Sequence, residues 1–229
     1  LMSEDQLDEE QWEFVRTWFD RKVRPHLVPI LISDVGVPEL KDGTIYHAIA
    51  LEGEVSKRAR FALLELPDHL DRFLVLPEKE GRHGIVFLDD VVRVGLPRLF
   101  STFEPTAVSA FAIKVTRDAE IDMDDDLTKS LLEKMRKGIA RRKKGDYVRF
   151  LYDRTMPDDL LKFLIRKLDV VDEASIIPGG RYHNRKDLMD FPDLGRPGLV
   201  HRKLPPLPHR HLKGRTRYFE EIARQDILL

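Results

Sequence analysis

Hydrophobic residues near the N-terminus recur at the spacing of a helix. Four of them follow one another at steps of three and four residues, with acidic residues between them: Trp12, Val15, Phe19 and Val23. Steps of this size place side chains on one helix face, so the pattern predicts an amphipathic helix over residues 8–24. Asp8 is the expected N-cap, because its carboxylate can accept hydrogen bonds from free backbone N–H groups. Pro25 and Pro29 are expected to end the helix, since proline has no N–H to donate.

Short apolar runs in the next part of the chain predict β-strands. They are rich in branched residues, are separated by Gly, Pro and Asp, and occupy residues 45–51, 60–66 and 73–76. Closely spaced strands of this kind are typical of an antiparallel meander. Residues 88–100 have a helical pattern that Pro97 is expected to disturb. Residues 107–116 alternate apolar with smaller or polar side chains, as a half-buried strand does.

The second half of the chain continues to interleave helices and strands. One helical stripe consists of Leu127, Leu131, Met135 and Ile139. Its start is acidic and its end, the basic run at 141–144, is complementary to the helix dipole, so we interpret that run as a solvated helix end. Residues 148–152 alternate as a strand, and a helix is expected from Pro157 to Leu168. Beyond Ile177 the chain is rich in Gly, Pro and Arg, which predicts an extended segment with few regular elements.

Charge is segregated along the chain although the formal net charge is only −1. Residues 1–20 hold seven acids and one base, whereas residues 178–217 hold ten Lys or Arg, three Asp and four His. The basic segment is suited to an anionic partner, or its charges are solvated and paired within the fold. The acidic start and the lack of a long apolar run argue against a signal or membrane segment and favour a cytoplasmic location.

The common motifs of catalysis and of phosphate binding are absent from the sequence. The chain has no cysteine, no G-x-x-x-x-G-K-[ST] loop and no G-x-G-x-x-G loop. His201, His209 and His211 lie among prolines without a completing ligand at helical spacing, so no metal site is predicted. His183 stands in a glycine-rich segment where it is either a loop-holding histidine or part of a site with Arg181. Arg117 is either a structural ion-pair partner or an anion-facing arginine.

Several motifs in series resemble the middle region of the histidine-phosphorylated, bacterial-type polyphosphate kinases. They are residues 114–120 (KVTRDAE), Arg149-Phe150, Met156-Pro157, residues 177–184 (IPGGRYHN) and Lys186-Asp187. The resemblance extends from Leu7 through residues 62–67 to residues 204–207 and 226–229, and therefore covers nearly the whole chain. Leu1 precedes Met2, and the chain stops on an apolar run. We therefore expect a piece of a longer protein, without the family's N-terminal helical domain and its C-terminal catalytic domains.

The resemblance implies an enzyme that reversibly transfers the terminal phosphate of ATP to inorganic polyphosphate through a phosphohistidine. It also implies magnesium and a homo-oligomer in the intact enzyme. The implied fold is an α+β head domain of three layers, a mixed and largely antiparallel sheet with helices on both sides. We divide the chain into a domain core at residues 1–177 and a basic extended segment at residues 178–229. The catalytic histidines lie outside the region of resemblance, so we predict no catalytic residue here and an inactive fragment.

The hypothesis for the site follows from the need of a polyphosphate enzyme for an enclosed basic channel. The channel candidates are Arg181, His183, Asn184 and Lys186, which either face the channel or brace residues that do, with Arg117 as a further candidate. A nucleic-acid or regulatory polyanion-binding module is the alternative, although the basic segment holds few aromatic residues for base stacking. A dimerisation segment built on the N-terminal helix remains compatible with the first reading.

Overall fold

The computed structural model describes residues 1–32, 37, 39–53, 61–117, 147–170, 172–201, 204–207, 209, 212, 214 and 217–226. The helix that the sequence predicts between Asp124 and Lys144 lies outside the described residues. The chain forms two compact units, Leu1–Pro192 and Asp193–Leu229. The first unit contains the sheets and the three longer helices, and the second contains the short helix α4, Tyr218–Arg224.

Six strands of the first unit form one sheet in the order β1-β3-β2-β6-β7-β8. Their bounds are β1 Pro29–Leu31, β2 Ile45–Glu52, β3 Phe61–Glu65, β6 Ala107–Arg117, β7 Tyr147–Asp153 and β8 Ile176–Gly179. All neighbours pair antiparallel except β7 and β8, which are parallel. The connection from β7 to β8 passes through helix α3, Asp158–Leu168, because parallel strands need a crossover. The mixed, largely antiparallel sheet confirms the predicted fold class.

Helices cover both faces of this sheet and complete three layers. On one face, α1 (Glu9–Trp18) and α2 (Leu88–Leu99) pack against Ile45 and Ile49 of β2. On the other face, α3 packs against Tyr46 and Ala48 of the same strand. Successive side chains of a strand point to opposite faces, so the near-continuous apolar sequence of β2 fills two cores at once. The predicted helices on both sides of the sheet are therefore confirmed.

Local signals determine the start and the packing of α1. The Asp8 carboxylate accepts a hydrogen bond from the Gln11 backbone N–H at 3.0 Å, as the sequence predicts for an N-cap. The helical path continues past α1 through a π-helical turn, Phe19–Val23, and buries the predicted apolar stripe. Phe19 packs directly on Gly95 of α2, where a Cβ atom would overlap the phenylalanine ring. The glycine therefore permits the close approach of the two helices.

Two details of the predicted elements are wrong. Strand β4, Phe73–Val75, does not extend a meander with β3 but pairs with β5, Ile85–Phe87, in a separate two-stranded sheet. The edge of β3 is already occupied by β1, so β4 has no free partner in the main sheet. Pro97 does not disturb α2, which continues to Leu99, because the proline lies in the last turn and removes one hydrogen bond near the helix end.

In the part of the chain that the structure describes, no helix has both the length and the apolar character that crossing a membrane would require.

Candidate functional site

The most specific of the predicted site residues lie in a segment that we call the Arg181 loop, residues 180–187. The loop follows β8 at the edge of the six-stranded sheet. A Cβ atom on Gly179, the last residue of β8, would lie 3.0 Å from Leu151 Cδ1 and 3.2 Å from His183 Nε2. The glycine therefore allows the loop to fold back against β7. This close approach is the structural reason for glycine at that position.

Arg181 points into the protein and contacts two carboxylates. Its guanidinium donates hydrogen bonds to the Glu4 carboxylate, and its Nη2 lies 3.2 Å from Asp90 Oδ1. The pKa of Arg181 is raised, because the hydrogen bonds and charges of these carboxylates outweigh the desolvation that opposes ionisation. The arginine thereby joins the N-terminal residues, the start of α2 and the loop. This is the geometry of a brace.

Asp90 in the first turn of α2 is the centre of this contact. It is fully buried and accepts hydrogen bonds from Arg93 Nη1 and from the Tyr182 hydroxyl, each at 2.8 Å. Burial and the neighbouring Glu4 carboxyl raise the pKa of Asp90 to about 7. Burial also opposes ionisation of Glu4, but hydrogen bonds from Asp90 and Arg181 offset it, so the pKa of Glu4 is lowered. The two carboxyl groups therefore ionise as a pair in which Glu4 is the first to lose its proton.

Tyr182 and His183 anchor the loop in the protein interior. The Tyr182 ring stacks on Phe87 with 4.3 Å between the ring centroids, and burial together with Asp90 raises its pKa. His183 is 4% exposed, and its Nε2 lies 3.1 Å from the Gly180 carbonyl oxygen, to which it donates. Burial lowers the pKa of His183, so the neutral form is favoured. Both rings hold the loop in place, and one face of the Tyr182 ring is occupied by Phe87.

A second group of buried charges lies next to the first. Asp89 precedes Asp90 in α2 and contacts His47 of β2 and Arg72, with Arg72 Nη2 at 2.8 Å and His47 Nε2 at 3.5 Å. Burial opposes ionisation of Asp89, but its contact with His47 and the charge of Arg72 lower its pKa. Burial lowers the pKa of His47, so we assign a neutral imidazole beside an ionised Asp89.

Arg72 and Asn184 hold the C-terminal end of the Arg181 loop. Arg72 Nε donates a hydrogen bond to Asp187 Oδ2 at 2.8 Å, and the side-chain amide of Asn184 donates to Asp187 Oδ1 at 3.0 Å. Asn184 adopts the left-handed backbone conformation, with φ of 70°, which asparagine tolerates better than most residues. Its side-chain oxygen accepts a hydrogen bond from Lys114 Nζ of β6 at 2.7 Å. The loop is thus held by charged groups along its whole length.

An open depression with a volume of about 910 Å³ lies beside this loop. Asn184 and Lys186 are among its lining residues. Its other charged lining residues are Asp42, Asp68, Asp71, Asp187, Asp190, Arg72 and His69. Because the acids outnumber the bases, the depression as a whole does not favour an anion, and Lys186 is the lining lysine that could attract one.

The structure brings four of the five predicted site residues together and separates the fifth. Arg181, His183, Asn184 and Lys186 share the Arg181 loop. Arg117 lies at the end of β6, where its guanidinium stacks on the Tyr147 ring at 4.4 Å and lies 3.4 Å from Glu39. The acidic neighbours that the sequence offers for Arg117, Asp118 and Glu120, lie outside the described residues.

The most buried charged residues of the site have no motif of their own in the sequence. His47, Asp89, Asp90 and Arg93 are all at most 7% exposed. The signal that could have indicated them is the pair of aspartates at the start of an otherwise apolar helix, since such carboxylates interact favourably with the helix N-terminus. Among the described residues, no three His, Cys, Asp or Glu side chains come together as a metal-binding group.

The chain matches the family model described as the polyphosphate kinase middle domain over residues 10–191. The chain belongs to the polyphosphate kinase middle domain family. The family match includes both aspartates of α2 and the whole Arg181 loop, whereas Glu4 precedes it. The resemblance that the motifs indicate is confirmed.

Similar proteins share the name of the family but are longer than this chain. Polyphosphate kinase from Vibrio vulnificus (strain YJ016) is 42% identical over 100% of the chain, which is 33% of that protein. Polyphosphate kinase from Escherichia coli (strain K12) is 38% identical over 100% of the chain and 34% of its own length. The chain thus spans about a third of the length of the curated relatives it matches.

A solved structure agrees with the fold. The crystal structure of polyphosphate kinase from Porphyromonas gingivalis aligns with a TM-score of 0.67 and 28% sequence identity. The alignment covers 97% of this chain and 31% of that chain. The middle domain architecture described above is therefore shared with a polyphosphate kinase of known structure.

Proposed function

We propose that this chain is the middle domain of a polyphosphate kinase that transfers the terminal phosphate of ATP to inorganic polyphosphate. The observation that carries the proposal is the match to the polyphosphate kinase middle domain family over residues 10–191. The relatives are about three times as long as the chain, so the catalytic groups belong to the remaining two thirds of such a protein. In this proposal the chain contributes no catalytic residue and is inactive alone.

Within such an enzyme, we assign two different tasks to the residues of the Arg181 loop. Arg181 and His183 brace the loop, because the Arg181 guanidinium contacts Glu4 and Asp90 and the buried His183 ring bonds the Gly180 carbonyl through Nε2. Asn184 and Lys186 belong to the substrate side, because they line the open depression. Arg117 is a weaker candidate for the channel, since its guanidinium is occupied by Tyr147 and Glu39.

The remaining parts of the proposal concern the whole protein. We propose a cytoplasmic homo-oligomer in which residues 178–229 lead from the domain core at 1–177 toward the catalytic domains. Magnesium would accompany ATP in that enzyme, but the described residues of this chain offer no set of ligands for it. The proposal therefore assigns magnesium no site in this domain.

The test compares the chain with the longer protein that contains it. Transfer of labelled phosphate from ATP to polyphosphate is expected for the longer protein and not for the 229-residue chain. Activity of the chain alone, or none in the longer protein, would contradict the proposal. Arg181→Gln in the longer protein, with the exposed Arg16→Gln as control, separates bracing from substrate contact. If Arg181 only holds the loop, the substitution should lower the unfolding temperature together with kcat. If Arg181 contacts the substrate, the substitution should raise KM for polyphosphate at unchanged stability.

A further inference from the structure

Three cationic side chains lie in or beside the Arg181 loop, and the proposed function does not use them together. Lys114 is on β6, Arg149 is on β7, and Lys186 is in the loop. In the antiparallel register, Lys114 faces Leu151 and Thr116 faces Arg149. Side chains of directly paired residues project from the same face of a sheet, and so do those two positions apart on one strand. Lys114 and Arg149 are therefore diagonal neighbours on one face.

The third cation, Lys186, is brought to the same place by the loop. Lys114 Nζ donates a hydrogen bond to Asn184 Oδ1 at 2.7 Å, two residues before Lys186. The pKa of Lys114 is lowered, because burial and the charge of Lys186 oppose its protonation, with a smaller contribution from Arg149. The carboxylates of Asp187 and Asp42 act in the opposite direction. Arg72 is shared between Asp187 and Asp89, but even with Asp187 and Asp42 counted in full the three cations outnumber the two carboxylates.

These three cations differ from the other basic residues of the site in their partners. Arg72, Arg93 and Arg181 each form an ion pair with a carboxylate of this chain. Among the described residues, no carboxylate lies at ion-pair distance from Lys114, Arg149 or Lys186. Like charges brought together without a counterion repel one another, and a bound anion removes that repulsion.

A continuous series of contacts fixes the position of Lys114 from the protein interior. It runs from the buried Asp89 through Arg72, Asp187 and Asn184 to the lysine amine, with successive distances of 2.8, 2.8, 3.0 and 2.7 Å. A site whose donors are held by a second layer of hydrogen bonds binds its ligand with less loss of side-chain freedom. Asn184 leaves two of the three N–H donors of Lys114 available.

We propose that Lys114, Arg149 and Lys186 form a binding site for a chain of phosphate groups, with Asn184 as the positioning residue. The ammonium groups bind phosphate oxygens as point charges, and the guanidinium of Arg149 offers a planar pair of donors. The phosphate chain belongs to inorganic polyphosphate or to the triphosphate of a nucleotide. The choice of phosphate rests on the proposed function, whereas the location of the site rests on the contacts of the chain itself.

Calorimetric titration of the 229-residue chain tests the site without any catalytic step. Tripolyphosphate is expected to bind, and Lys114→Met is expected to weaken its binding about tenfold, the loss expected for one charge-assisted hydrogen bond. Lys162→Met is the matched control, because this exposed lysine lies on α3, on the other side of the sheet. Equal losses in both variants, or no binding to the unaltered chain, would overturn the site.

Chemical labelling of lysine amines tests the same site without a substitution. Tripolyphosphate is expected to protect Lys114 from acylation, as detected by mass spectrometry, and to leave Lys162 reactive. Asn184→Asp places a carboxylate beside Lys114, so it should slow acylation of Lys114 at a given pH and weaken tripolyphosphate binding. A general loss of folding would change the reactivity of Lys162 as well, so Lys162 is the internal control for this variant. Equal acylation of Lys114 with and without tripolyphosphate would overturn the proposal.

Titrations with ATP and with a nucleic acid identify the source of the phosphate chain. Tighter binding of tripolyphosphate than of ATP supports polyphosphate as the ligand, and the reverse order supports the nucleotide. Equal binding of a nucleic acid of the same charge would overturn the assignment to phosphate chains and indicate a general polyanion surface. If tripolyphosphate binds at Lys114 while the longer protein transfers no phosphate, the site stands and the proposed function fails.

Discussion

The two faces of the six-stranded sheet are built from different kinds of interaction. The face covered by α1, α2 and the Arg181 loop buries charged groups, including Asp89, Asp90 and Arg93. The face covered by α3 is packed with apolar side chains, such as Leu164 against Phe150. Its polar contacts, such as Arg117 with Tyr147, lie toward the end of β6. One sheet therefore supports an ionic cluster on one side and an apolar core on the other.

The apolar face and the charged face should differ in how well they tolerate the loss of a side chain. An apolar core stabilises the fold in proportion to the area it buries, and loss of one side chain is a local loss. A buried ionic cluster adds little net stability when complete but becomes costly when one partner is removed. Since the loop that carries the candidate substrate residues is held by the cluster, its position depends on every member of the set.

The largest effect is expected from Asp89→Ala on the charged face. The substitution leaves His47 buried without its carboxylate and Arg72 with Asp187 alone, which should lower the free energy of unfolding by about 3–5 kcal/mol. Urea unfolding followed by circular dichroism measures this loss. The control is Asp68→Ala, because the Asp68 side chain is 94% exposed and should not change the midpoint. A loss below about 1 kcal/mol would mean that the cluster reorganises around the gap.

Leu164→Ala on the apolar face should cost about 3 kcal/mol, since it opens a cavity beneath the sheet. The loss should be the same between about pH 5 and pH 8, because no titratable group is removed. Lys162→Ala, an exposed substitution on the same helix, controls for helix propensity. A loss that varies with pH would show that the apolar face is coupled to the ionic cluster, and the contrast between the faces would not hold.

The sequence predicts the elements whose signals are local. The stripe from Trp12 to Val23 and the cap at Asp8 are contained within one helix and its turns, so spacing alone was sufficient for α1. The strand at 73–76 was predicted correctly as a strand but wrongly as a neighbour of β3. Pairing depends on which edges remain free after the rest of the chain has folded, and no local pattern contains that information.

The candidate site shows the same limit more strongly. The glycine-rich motif predicted a specialised loop at Arg181, but the partners of this arginine, Glu4 and Asp90, are 177 and 91 residues away in the sequence. Lys114 lies in one of the motifs that resemble the family, but the sequence alone does not indicate it as a site residue. Its significance depends on Asn184, 70 residues further on, and on the register of β6 with β7. Contacts of this length arise only from tertiary structure.

A smaller effect is expected from the carboxyl pair of the charged face, and it depends on pH. The folded pKa of Asp90, about 7, lies above its unfolded value, so the folded protein binds more protons than the unfolded chain between about pH 4 and pH 7. The stability contributed by this carboxyl therefore falls as the pH rises through that window. The lowered pKa of Glu4 has the opposite sign, and its contribution is lost only at lower pH.

Glu4→Gln removes the neighbouring charge, so Asp90 should ionise at lower pH. The free energy of unfolding of the variant minus that of the unaltered chain should then increase from about pH 5 to pH 7, as urea midpoints at each pH would show. Glu13→Gln is the control, because Glu13 forms an exposed ion pair with Arg16. Parallel stability curves for the unaltered chain and Glu4→Gln would mean that Asp90 does not share its proton with Glu4.

The smallest effect is expected from Arg117→Lys at the margin of the apolar face. Lysine keeps the charge but loses the planar stacking on Tyr147, which should cost about 0.5–1 kcal/mol in urea unfolding. Tripolyphosphate affinity should remain unchanged, because Arg117 stacks on Tyr147, which packs with the core on the face of the sheet opposite to Lys114. Arg117 was a candidate for the polyphosphate channel on its sequence alone. A clear loss of affinity in this variant, at nearly unchanged stability, would extend the anion-binding surface around the end of β6 and weaken the division of the domain into a charged face and an apolar face.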